Sequence, residues 1–570
     1  MYVLGVSCYY HDAAACLIKD GQIIAAAAEE RFTRIKHDNS FPLNAISFCL
    51  DQARIAMTDF DHVTFYEKPI LKFDRILHQH LQHFPKSFNT SLETMSQWFD
   101  YKLEIAKVFK EKLSYTKPLS YCGHHLSHAA SAYYLSGYKE SVIVTLDGVG
   151  EWSTTTMGTG KGTKITLDKE IHFPHSLGLL YSSLTTYLGF SANDAEYKVM
   201  GLAAYGDPLP YKKHFDQLIT VFDDGSYQLN LEYFEFEWSN KRMFSDKLIA
   251  LFGHPPRQSE SKMYRHYQNI AAALQAKLET VVFAMLNAAY AKYGIDNLCL
   301  SGGVALNSVM NGKLLQATPF KQLYIPPDPG DAGGAMGAAM YTHLQHSKKP
   351  LKWESFNPYL GPSYSWHEVK NTLDKHNLSY TFYASKKELI STVAKFVKQQ
   401  KIIGWFQGRM EWGPRALGNR SILASAATTK MRDIINEKVK HRELFRPFAP
   451  VILEEYTNDY FEADENLPLS ARYMLMVYPF KKKGYKEVPA VVHVDGSGRL
   501  QTLARQDNPL YYELIEEYHR QTGVPIIINT SFNVRGEPIV CSPEDAINCF
   551  LKTDIDYLVI DQYVCRKKKR

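Results

Sequence analysis

Two histidines and two aspartates, spread over three short motifs, have the residue types of a metal site. His124 and His128 belong to the run His-His-Leu-Ser-His, Asp147 opens Asp-Gly-Val-Gly-Glu, and Asp331 ends Asp-Pro-Gly-Asp. If the first run is helical, its two histidines project from one face, as two imidazole ligands of one metal must. Imidazole with carboxylate suits iron, manganese or zinc. The alternative is that His124 caps a helix and His128 is a hydrogen-bonded core residue, but the glycine-rich loops around the aspartates favour the metal.

A second group of chemically capable residues lies in the C-terminal part, where arginines stand beside Gly and Pro turns. The motifs occupy residues 409–421, 440–450, 493–499 and 529–539. Arginines placed in this way suggest anchored forks for phosphate or carboxylate oxygens, with structural ion pairs as the alternative. The net charge is only +5, so we do not expect a nucleic-acid partner.

The segments that must position the first group read as a duplicated strand pattern. Each copy is a strand, a polar or acidic turn and two further strands, over Val3–Val6, 13–18 and 23–28, and again over 141–147, 154–158 and 165–167. Asp20-Gly21 supplies the positive-φ residues of a hairpin turn between the second and third strands. Such duplication is typical of ribonuclease-H-like ATP-binding folds, the class of actin, Hsp70 and sugar kinases.

The middle of the chain adds a possible nucleotide turn. A long helix is predicted over 259–293 and a strand over 297–301, followed by Gly302 and Gly303. Glycines between a strand and a helix let backbone N–H groups approach a nucleotide, although a tight connection would use the same residues. A strand over 322–325 then leads into a helix rich in Gly and Ala, which should pack closely against its neighbours.

A second α/β domain is expected after a linker within residues 346–364, which is rich in Pro, Gly, Lys and Ser. Capping boxes at Ser365 and Ser385 predict two helix starts, and apolar runs over 402–406 and 524–528 predict strands. We therefore expect domains of residues 1–350 and 351–570.

Composition points to a cytoplasmic globular protein. The chain has 570 residues, of which 45% are apolar and 22% are charged. Its eight cysteines form no CxxC pair, which indicates a reducing compartment. No segment approaches the length of an uninterrupted apolar span, and no signal peptide is recognisable, so no membrane association is expected.

Taken together, the motifs closely resemble one family, the O-carbamoyltransferases that include the nodulation-factor, cephamycin and tobramycin carbamoyltransferases. The resemblance covers nearly the whole chain. The segments that carry it are Tyr-His-Asp-Ala-Ala-Ala at 10–15, Glu-Glu-Arg-Phe-Thr-Arg at 29–34, the histidine run at 124–128, residues 196–206 and 301–307, Arg-Ala-Leu-Gly-Asn-Arg-Ser at 415–421, Phe-Arg-Pro-Phe-Ala-Pro at 445–450 and Asn-Thr-Ser-Phe-Asn-Val-Arg-Gly-Glu-Pro at 529–538.

The resemblance implies a first domain similar to the tRNA threonylcarbamoyl-adenosine synthase and a second similar to the threonylcarbamoyl-adenylate synthase. Carbamoyl phosphate and ATP would form carbamoyl-adenylate in the second domain, and the first would transfer the carbamoyl group to a hydroxyl of a small molecule or sugar. The implied metal is Fe²⁺, with Mn²⁺ or Zn²⁺ as alternatives, together with Mg²⁺ bound with ATP. A homodimer is compatible with this family.

Site residues carry over by the same resemblance. The metal ligands are the two histidines and two aspartates already described. The residues that would contact carbamoyl phosphate and the adenylate are Arg415, Lys440, Arg446, Arg499, Asn529 and Ser531, and those that would bind nucleotide or substrate in the first domain are Asp12, Lys36, Gly148, Gly150, Gly302, Gly303 and Asn307.

The transfer step also needs a base, because an alcohol is a poor nucleophile at neutral pH. His11, in the loop between the first two strands, is the candidate. The alternative is an ordinary loop histidine that is hydrogen-bonded to Asp12.

Two other functions fit parts of the pattern. A small-molecule kinase on the same fold would explain ATP and the duplicated turns, but it would leave the histidine pair and the arginine motifs without a role. An actin-like or chaperone-like ATP-binding module would predict slow turnover without carbamoyl phosphate. The acceptor is a glycan, an aminoglycoside or another alcohol, and aromatic residues within 209–258 would either stack on it or pack a lid: Tyr227, Tyr233, Phe234 and Trp238.

Overall fold

A computed structural model describes residues 1–347, 351, 356–443, 446–464 and 466–567, and the chain divides into two compact units. The first unit comprises residues 1–29 and 39–356, and the second comprises residues 30–38 and 357–570. The sequence-based boundary did not separate segment 30–38 from the first domain. The linker predicted within 346–364 includes residues 348–350 and 352–355, which lie outside the described residues, as does Phe445 of the arginine motif.

The first unit contains two five-stranded sheets and a small two-stranded ribbon. The strands are β1 (Tyr2–Ser7), β2 (Ala14–Lys19), β3 (Gln22–Ala28), β4 (His62–Phe65), β5 (Leu119–Tyr121), β6 (Glu140–Leu146), β7 (Ser153–Lys161), β8 (Lys164–His172), β9 (Ile219–Val221), β10 (Tyr227–Leu229), β11 (Asn297–Ser301) and β12 (Gln322–Tyr324).

The two five-stranded sheets have the same topology. In the first, with order β3-β2-β1-β4-β5, the strands β1, β2 and β3 form an antiparallel meander and β4 and β5 run parallel to β1. In the second, β6, β7 and β8 form the meander, and β11 and β12 run parallel to β6. The predicted duplicated ribonuclease-H-like α/β fold is therefore confirmed. The turn at Asp20 and Gly21 has the predicted positive φ angles of 49° and 85°.

Helices cover the sheets and fill the connections between strands. Those before residue 347 are α1 (Glu30–Thr33, in the second unit), α2 (Leu43–Ala53), α3 (Pro69–Gln82), α4 (Phe88–Gln97), α5 (Ile105–Leu113), α6 (His124–Ser136), α7 (Leu177–Tyr187), α8 (Glu196–Ala203), α9 (Lys212–Leu218), α10 (Asp246–Phe252), α11 (Arg265–Tyr293), α12 (Ser308–Asn311), α13 (Leu314–Ala317) and α14 (Asp331–His346). Among the described helices, α11 alone has the length and composition to cross a membrane, and 61% of its most apolar window is buried inside the unit. That burial is typical of a core helix.

Helices α6 and α14 cross at very close range because α14 has no side chain at the contact. A Cβ atom placed on Gly337 would lie 1.8 Å from the carbonyl oxygen of Ser127 in α6. On another face of α14, a Cβ atom placed on Gly5 of β1 would lie 1.9 Å from the carbonyl oxygen of Ala335. The small residues of α14 therefore set its distance from both α6 and the first sheet, as the sequence predicted.

Gly337→Ala is expected to lower the free energy of unfolding by about 1–3 kcal/mol or more, because overpacking a tight contact forces the backbone to move. Gly201 in α8 offers a matched control, since a Cβ there would meet no atom within 4 Å. Gly201→Ala should be neutral or stabilising by roughly 0.5–1 kcal/mol, the usual helix preference for Ala. Chemical denaturation of both variants measures the difference, and equal stabilities would contradict the close packing.

The second unit is built on one mixed sheet of nine strands, in the order β13-β21-β20-β14-β15-β19-β16-β18-β17. They are β13 (Ser379–Phe382), β14 (Ile403–Phe406), β15 (Arg420–Ser425), β16 (Ala449–Leu453), β17 (Met476–Pro479), β18 (Ser497–Leu503), β19 (Ile526–Ser531), β20 (Tyr557–Ile560) and β21 (Tyr563–Arg566). Most neighbours are antiparallel, and β14 with β20 and β16 with β18 are parallel.

The helices of the second unit pack on this sheet. They are α15 (Trp366–Lys375), α16 (Lys386–Lys398), α17 (Thr429–Ile434), α18 (Thr457–Tyr460), α19 (Lys482–Glu487), α20 (Pro509–Thr522) and α21 (Pro543–Lys552). Both predicted helix starts are confirmed: Ser365 forms a full capping box with Glu368, and the Ser385 side chain accepts the N–H of Glu388. α16 and α20 share a core with the buried Trp405 of β14.

Segment 30–38 is anchored inside the second unit by side chains that bind backbone carbonyls. Arg34 donates to the carbonyl oxygens of Ile539 and Pro538 at 2.6 and 2.8 Å, and Arg31 donates to that of Gly413 at 3.0 Å. These bonds cannot be read from local sequence pattern, because their partners lie hundreds of residues away.

Candidate functional site

Helix α6 begins at His124 because a carboxylate caps it. Both oxygens of Glu151 accept the backbone N–H of His124, at 2.9 and 3.1 Å, and one also accepts the N–H of Lys68 at 2.9 Å. A carboxylate at a helix N-terminus satisfies unpaired donors and faces the positive end of the helix dipole. The histidine run is thus helical, which was the condition for its two histidines to share one face, and the helix directs His124 and His128 to one side, with their Nε2 atoms 3.2 Å apart.

Two aspartates reach the same point from other elements. Asp147 follows β6 and Asp331 is the first residue of α14. His124 Nε2 lies 2.9 Å from Asp147 Oδ2, and both histidine Nε2 atoms lie 3.6 Å from Asp331 Oδ1. One ligand atom of each residue lies within 4.8 Å of the others, and all four side chains are buried. The structure therefore brings together the four predicted ligands, which we call the His/Asp cluster.

The predicted glycines shape this cluster. The N–H of Gly303 donates to Asp147 Oδ1 at 2.9 Å. Gly302 has a φ of 91°, and a Cβ there would lie 2.2 Å from the carbonyl oxygen of Leu146. A Cβ on Gly150 would come within 3.0 Å of the His124 ring. Gly302 thus requires the absence of a side chain, Gly150 leaves little room for one beside His124, and Gly303 orients Asp147 through its backbone; binding of nucleotide by these glycines stays a prediction.

Two further predicted residues also have structural partners. The carbonyl oxygen of Gly148 accepts the Ser176 hydroxyl at 2.7 Å. Asn307 caps α12 and exchanges two hydrogen bonds with Gln275, at 2.9 and 3.0 Å. A role of Gly148 and Asn307 in binding nucleotide stays a prediction.

The histidines and aspartates of the cluster stabilise each other's charged forms. Burial alone would lower the pKa of His124, but the carboxylates of Asp331 and Asp147 raise it well above its ordinary value. Burial would likewise raise the pKa of Asp147, yet the two histidines lower it well below its ordinary value. The cluster therefore favours positive charge between its carboxylates.

These residues fit a divalent cation. Asp331 Oδ2 is buried without a hydrogen-bond partner in the described part of the chain, so this carboxylate has spare capacity to act as a ligand. Two imidazole nitrogens and two carboxylates form a donor set that Fe²⁺, Mn²⁺ or Zn²⁺ accepts.

The loop between β1 and β2 lies beside the cluster. Burial, followed by the charges of Asp147 and Asp331, raises the pKa of Tyr10 above its ordinary value. The next residue, His11, places Nδ1 2.7 Å from Asp12 Oδ2 and Nε2 2.6 Å from the carbonyl oxygen of Asn193. The contact with Asp12 fits both the orienting carboxylate of a general base and the ordinary loop histidine considered above.

A buried ion pair stands behind the cluster, and the sequence analysis missed it. Glu67 and Lys72 form a 2.6 Å contact, Glu67 Oε2 lies 3.8 Å from His124 Nδ1, and Lys72 lies 4.3 Å from the centre of the Tyr10 ring. Although burial raises the pKa of Glu67, Lys72 and the His124 ring lower it to about 2. The sequence carried little signal for this ion pair, because the pairing of β4 with β1 that brings the two strand ends to one edge of the sheet is a tertiary contact.

The arginine motifs of the second unit converge around strand β19. Lys440 is 3% exposed, and its Nζ donates to the carbonyl and hydroxyl oxygens of Ser531 and to the carbonyl and side-chain oxygens of Asn533. Burial and then the charges of Arg442 and Arg446 lower the pKa of Lys440 well below its ordinary value. Three of the predicted contacts, Lys440, Arg446 and Ser531, therefore lie in one neighbourhood.

Asn529 joins the remaining motifs. It lies two residues before Ser531 on β19, so both side chains share one face of the sheet. The Asn529 amide donates to the carbonyl oxygen of Ala416 at 3.1 Å and to the Gln501 side chain at 2.7 Å. Arg415 precedes Ala416, and Arg499 stands two residues before Gln501 on β18. Gln501 and Asn533 were missed because single amides in strands and turns carry no sequence signal.

Other predicted residues are placed differently. Asp12 belongs to the first unit, whereas Lys36 belongs to segment 30–38 of the second. Of the proposed acceptor aromatics, Tyr227 and Phe234 are buried core residues at 1% and 3% exposure, and the Tyr227 hydroxyl bonds to Thr155 and to the N–H of Leu177. Packing rather than stacking on a ligand is thus the role of these two, while Tyr233 and Trp238 are only partly buried.

Comparisons with family models identify one family for both parts of the chain. The description "Carbamoyltransferase N-terminus" matches residues 2–340 and "Carbamoyltransferase C-terminus" matches residues 394–567. The uncharacterized protein sll1178 of Synechocystis sp. is 43% identical over 99% of this chain and 97% of its own. The nodulation protein NolNO of Sinorhizobium fredii is 36% identical over 98% of this chain and 79% of its own. The solved structure of Acidaminococcus fermentans (R)-2-hydroxyglutaryl-CoA dehydratase component A aligns with 60% of this chain and 99% of its own, at 14% identity and a TM-score of 0.33.

Proposed function

Because the chain belongs to the carbamoyltransferase family and is a carbamoyltransferase, we propose that it uses carbamoyl phosphate and ATP to carbamoylate a hydroxyl of a small-molecule natural product or sugar. The buried His/Asp cluster is the observation that carries this proposal. A kinase on the same fold would give that donor set no task. We place the reaction in the cytoplasm, in keeping with eight free, buried cysteines.

The second unit would form carbamoyl-adenylate. Atom balance requires that one water molecule hydrolyse carbamoyl phosphate to carbamate and inorganic phosphate, and that a carbamate oxygen then attack the α-phosphorus of ATP and release pyrophosphate. Carbamoyl phosphate is small, anionic and labile, so its site needs fixed cations and little water. Arg415, Lys440, Arg446 and Arg499 would supply the positive charge, and Asn529 and Ser531 would orient the carbamoyl group; Mg²⁺ would accompany ATP.

The first unit would transfer the carbamoyl group. His124, His128, Asp147 and Asp331 would hold a divalent cation, which would supply Lewis-acid stabilisation of phosphate charge. Asp147 is oriented for this by the N–H of Gly303. Without the cation, the carboxylates of the cluster would repel the adenylate phosphate. The balance between carboxylate, phosphate and cation charge therefore depends on the four ligands together.

His11 would remove the proton from the acceptor hydroxyl. In the tautomer that donates Nδ1–H to Asp12, Nε2 would accept the proton once the acceptor oxygen replaces the carbonyl of Asn193. The alcohol oxygen then attacks the carbamoyl carbon, the bond to the adenylate oxygen breaks, and AMP leaves. The product is a carbamate ester.

Product analysis separates this proposal from a kinase. With labelled carbamoyl phosphate, ATP and a metabolite extract as the source of acceptors, we expect AMP, pyrophosphate and phosphate in equal amounts and a labelled carbamate ester. Without carbamoyl phosphate, pyrophosphate release should fall to background. Formation of ADP, with label remaining in carbamoyl phosphate, would show a kinase instead.

A further inference from the structure

The two ring nitrogens of His124 face different chemical groups. Its Nε2 atom points into the His/Asp cluster, 2.9 Å from Asp147 and 3.2 Å from His128 Nε2. Its Nδ1 atom points away, has no hydrogen-bond partner among the described residues, and lies 3.8 Å from Glu67 Oε2. A carboxylate therefore stands directly behind a ring whose other nitrogen faces the proposed metal.

Glu67 is held in that place by strand β4, which precedes it, and by an ion pair with Lys72. It follows β4, which runs parallel to β1, and it is only 4% exposed. Lys72, in the first turn of α3, is 3% exposed and binds Glu67 Oε2 at 2.6 Å. The same ammonium group lies over the Tyr10 ring, in the loop that also contains His11. This chain of contacts joins the back of the cluster to the β1–β2 loop.

A buried ion pair is seldom retained for stability alone. The cost of removing two charges from water offsets most of their attraction, so an apolar pair of similar size is often as stable. Metal-bound histidines, in contrast, usually donate their second N–H to a carboxylate, which fixes the ring and raises its basicity. The position of the Glu67–Lys72 pair behind His124 therefore gives a functional reason for the pair, which stability alone does not provide.

We propose that Glu67 is a positioning residue that accepts the Nδ1–H of His124 and presents Nε2 to the metal, and that Lys72 holds Glu67 there. This inference rests on the proposed function, because it requires the His/Asp cluster to bind a cation. The 3.8 Å contact is longer than a hydrogen bond, so it must shorten when the cation binds. His128 is the contrast within the cluster: its Nδ1 has no hydrogen-bond partner among the described residues.

Affinity for Fe²⁺, measured anaerobically by competition with a chelator, tests the inference without reference to activity. Glu67→Gln keeps the shape of the side chain and removes its charge, and it should weaken Fe²⁺ binding roughly 10–100-fold, as expected for loss of an outer carboxylate. Glu140→Gln, at an exposed ion pair with Lys161, is the matched control and should bind Fe²⁺ like the wild type.

A double variant separates positioning from stability. Glu67→Gln leaves Lys72 buried without its partner, which lowers stability. Glu67→Gln with Lys72→Gln removes both charges, so it should regain thermal stability but not Fe²⁺ affinity. Recovery of affinity together with stability would show that the pair only supports the fold, and wild-type affinity in Glu67→Gln would also overturn the inference.

The same titrations distinguish failure of this inference from failure of the proposed function. Wild-type protein should bind a single Fe²⁺ and His128→Ala should not. If the wild type binds Fe²⁺ and Glu67→Gln binds it equally well, the metal centre stands and the role of Glu67 falls. If the wild type binds none of Fe²⁺, Mn²⁺ and Zn²⁺, both the proposed metal centre and the role of Glu67 are overturned.

Discussion

His11→Asn is expected to slow carbamoyl transfer to the acceptor roughly 10²–10⁴-fold while leaving adenylate formation unchanged, since that is the usual contribution of a positioned base. Asn preserves polarity and approximate size but cannot take a proton near neutral pH. His11 and its partners Asp12 and Asn193 all lie in the first unit, whereas the residues proposed for adenylate formation lie in the second.

The measurement compares carbamate ester formation with carbamoyl phosphate-dependent pyrophosphate release on the same protein. His172→Asn is a matched control, because His172 pairs with a carboxylate, Glu170 at 3.0 Å, but stands exposed on β8. It should leave both rates unchanged. Equal losses of both rates in His11→Asn would assign His11 to structure or nucleotide binding, and no loss in either would leave it an ordinary loop histidine.

Replacing Arg446 or Arg499 with Ala should produce the second large effect, the loss of carbamoyl phosphate-dependent pyrophosphate release. Removing one fixed charge-assisted contact in a dry site costs roughly 2.7–4 kcal/mol of barrier, or about 10²–10³ in rate. Arg446 acts within the neighbourhood of Lys440, whose pKa it lowers, and Arg499 lies two residues before Gln501, whose side chain accepts a hydrogen bond from Asn529.

Two further variants make this test specific. Arg446→Lys keeps the charge but loses the planar fork, so it should recover only part of the rate. Arg520→Ala removes an exposed arginine that pairs with Glu517 at 2.7 Å and should retain the full rate. Normal pyrophosphate release in both Arg446→Ala and Arg499→Ala would place the anion site elsewhere.

Local sequence was sufficient wherever a structural feature depends on neighbours in the chain. The two helix starts were predictable from Ser365 and Ser385, and the hairpin from Asp20-Gly21, whereas the helical form of the histidine run was only a condition of the argument. The duplicated strand order was predictable because alternating strand and turn signals repeat along the chain. The four residues of the His/Asp cluster could be named for their types and motifs, but the sequence did not set the distances between them.

Tertiary structure decided what depends on contacts between distant segments. Glu67 reaches His124 because β4 and β5 run parallel, so the residues that follow their ends meet at one edge of the sheet, and the place of Lys72 follows from where α3 begins. Segment 30–38 belongs to the second unit through hydrogen bonds from arginines to backbone carbonyl oxygens. Every residue has such a carbonyl, so the sequence does not identify the partner. The sequence left both roles open for Tyr227, because an aromatic side chain suits stacking and packing equally, and only its burial shows that it packs. Residue type and spacing limit the chemistry, whereas burial and the partner across the fold decide which atom performs it.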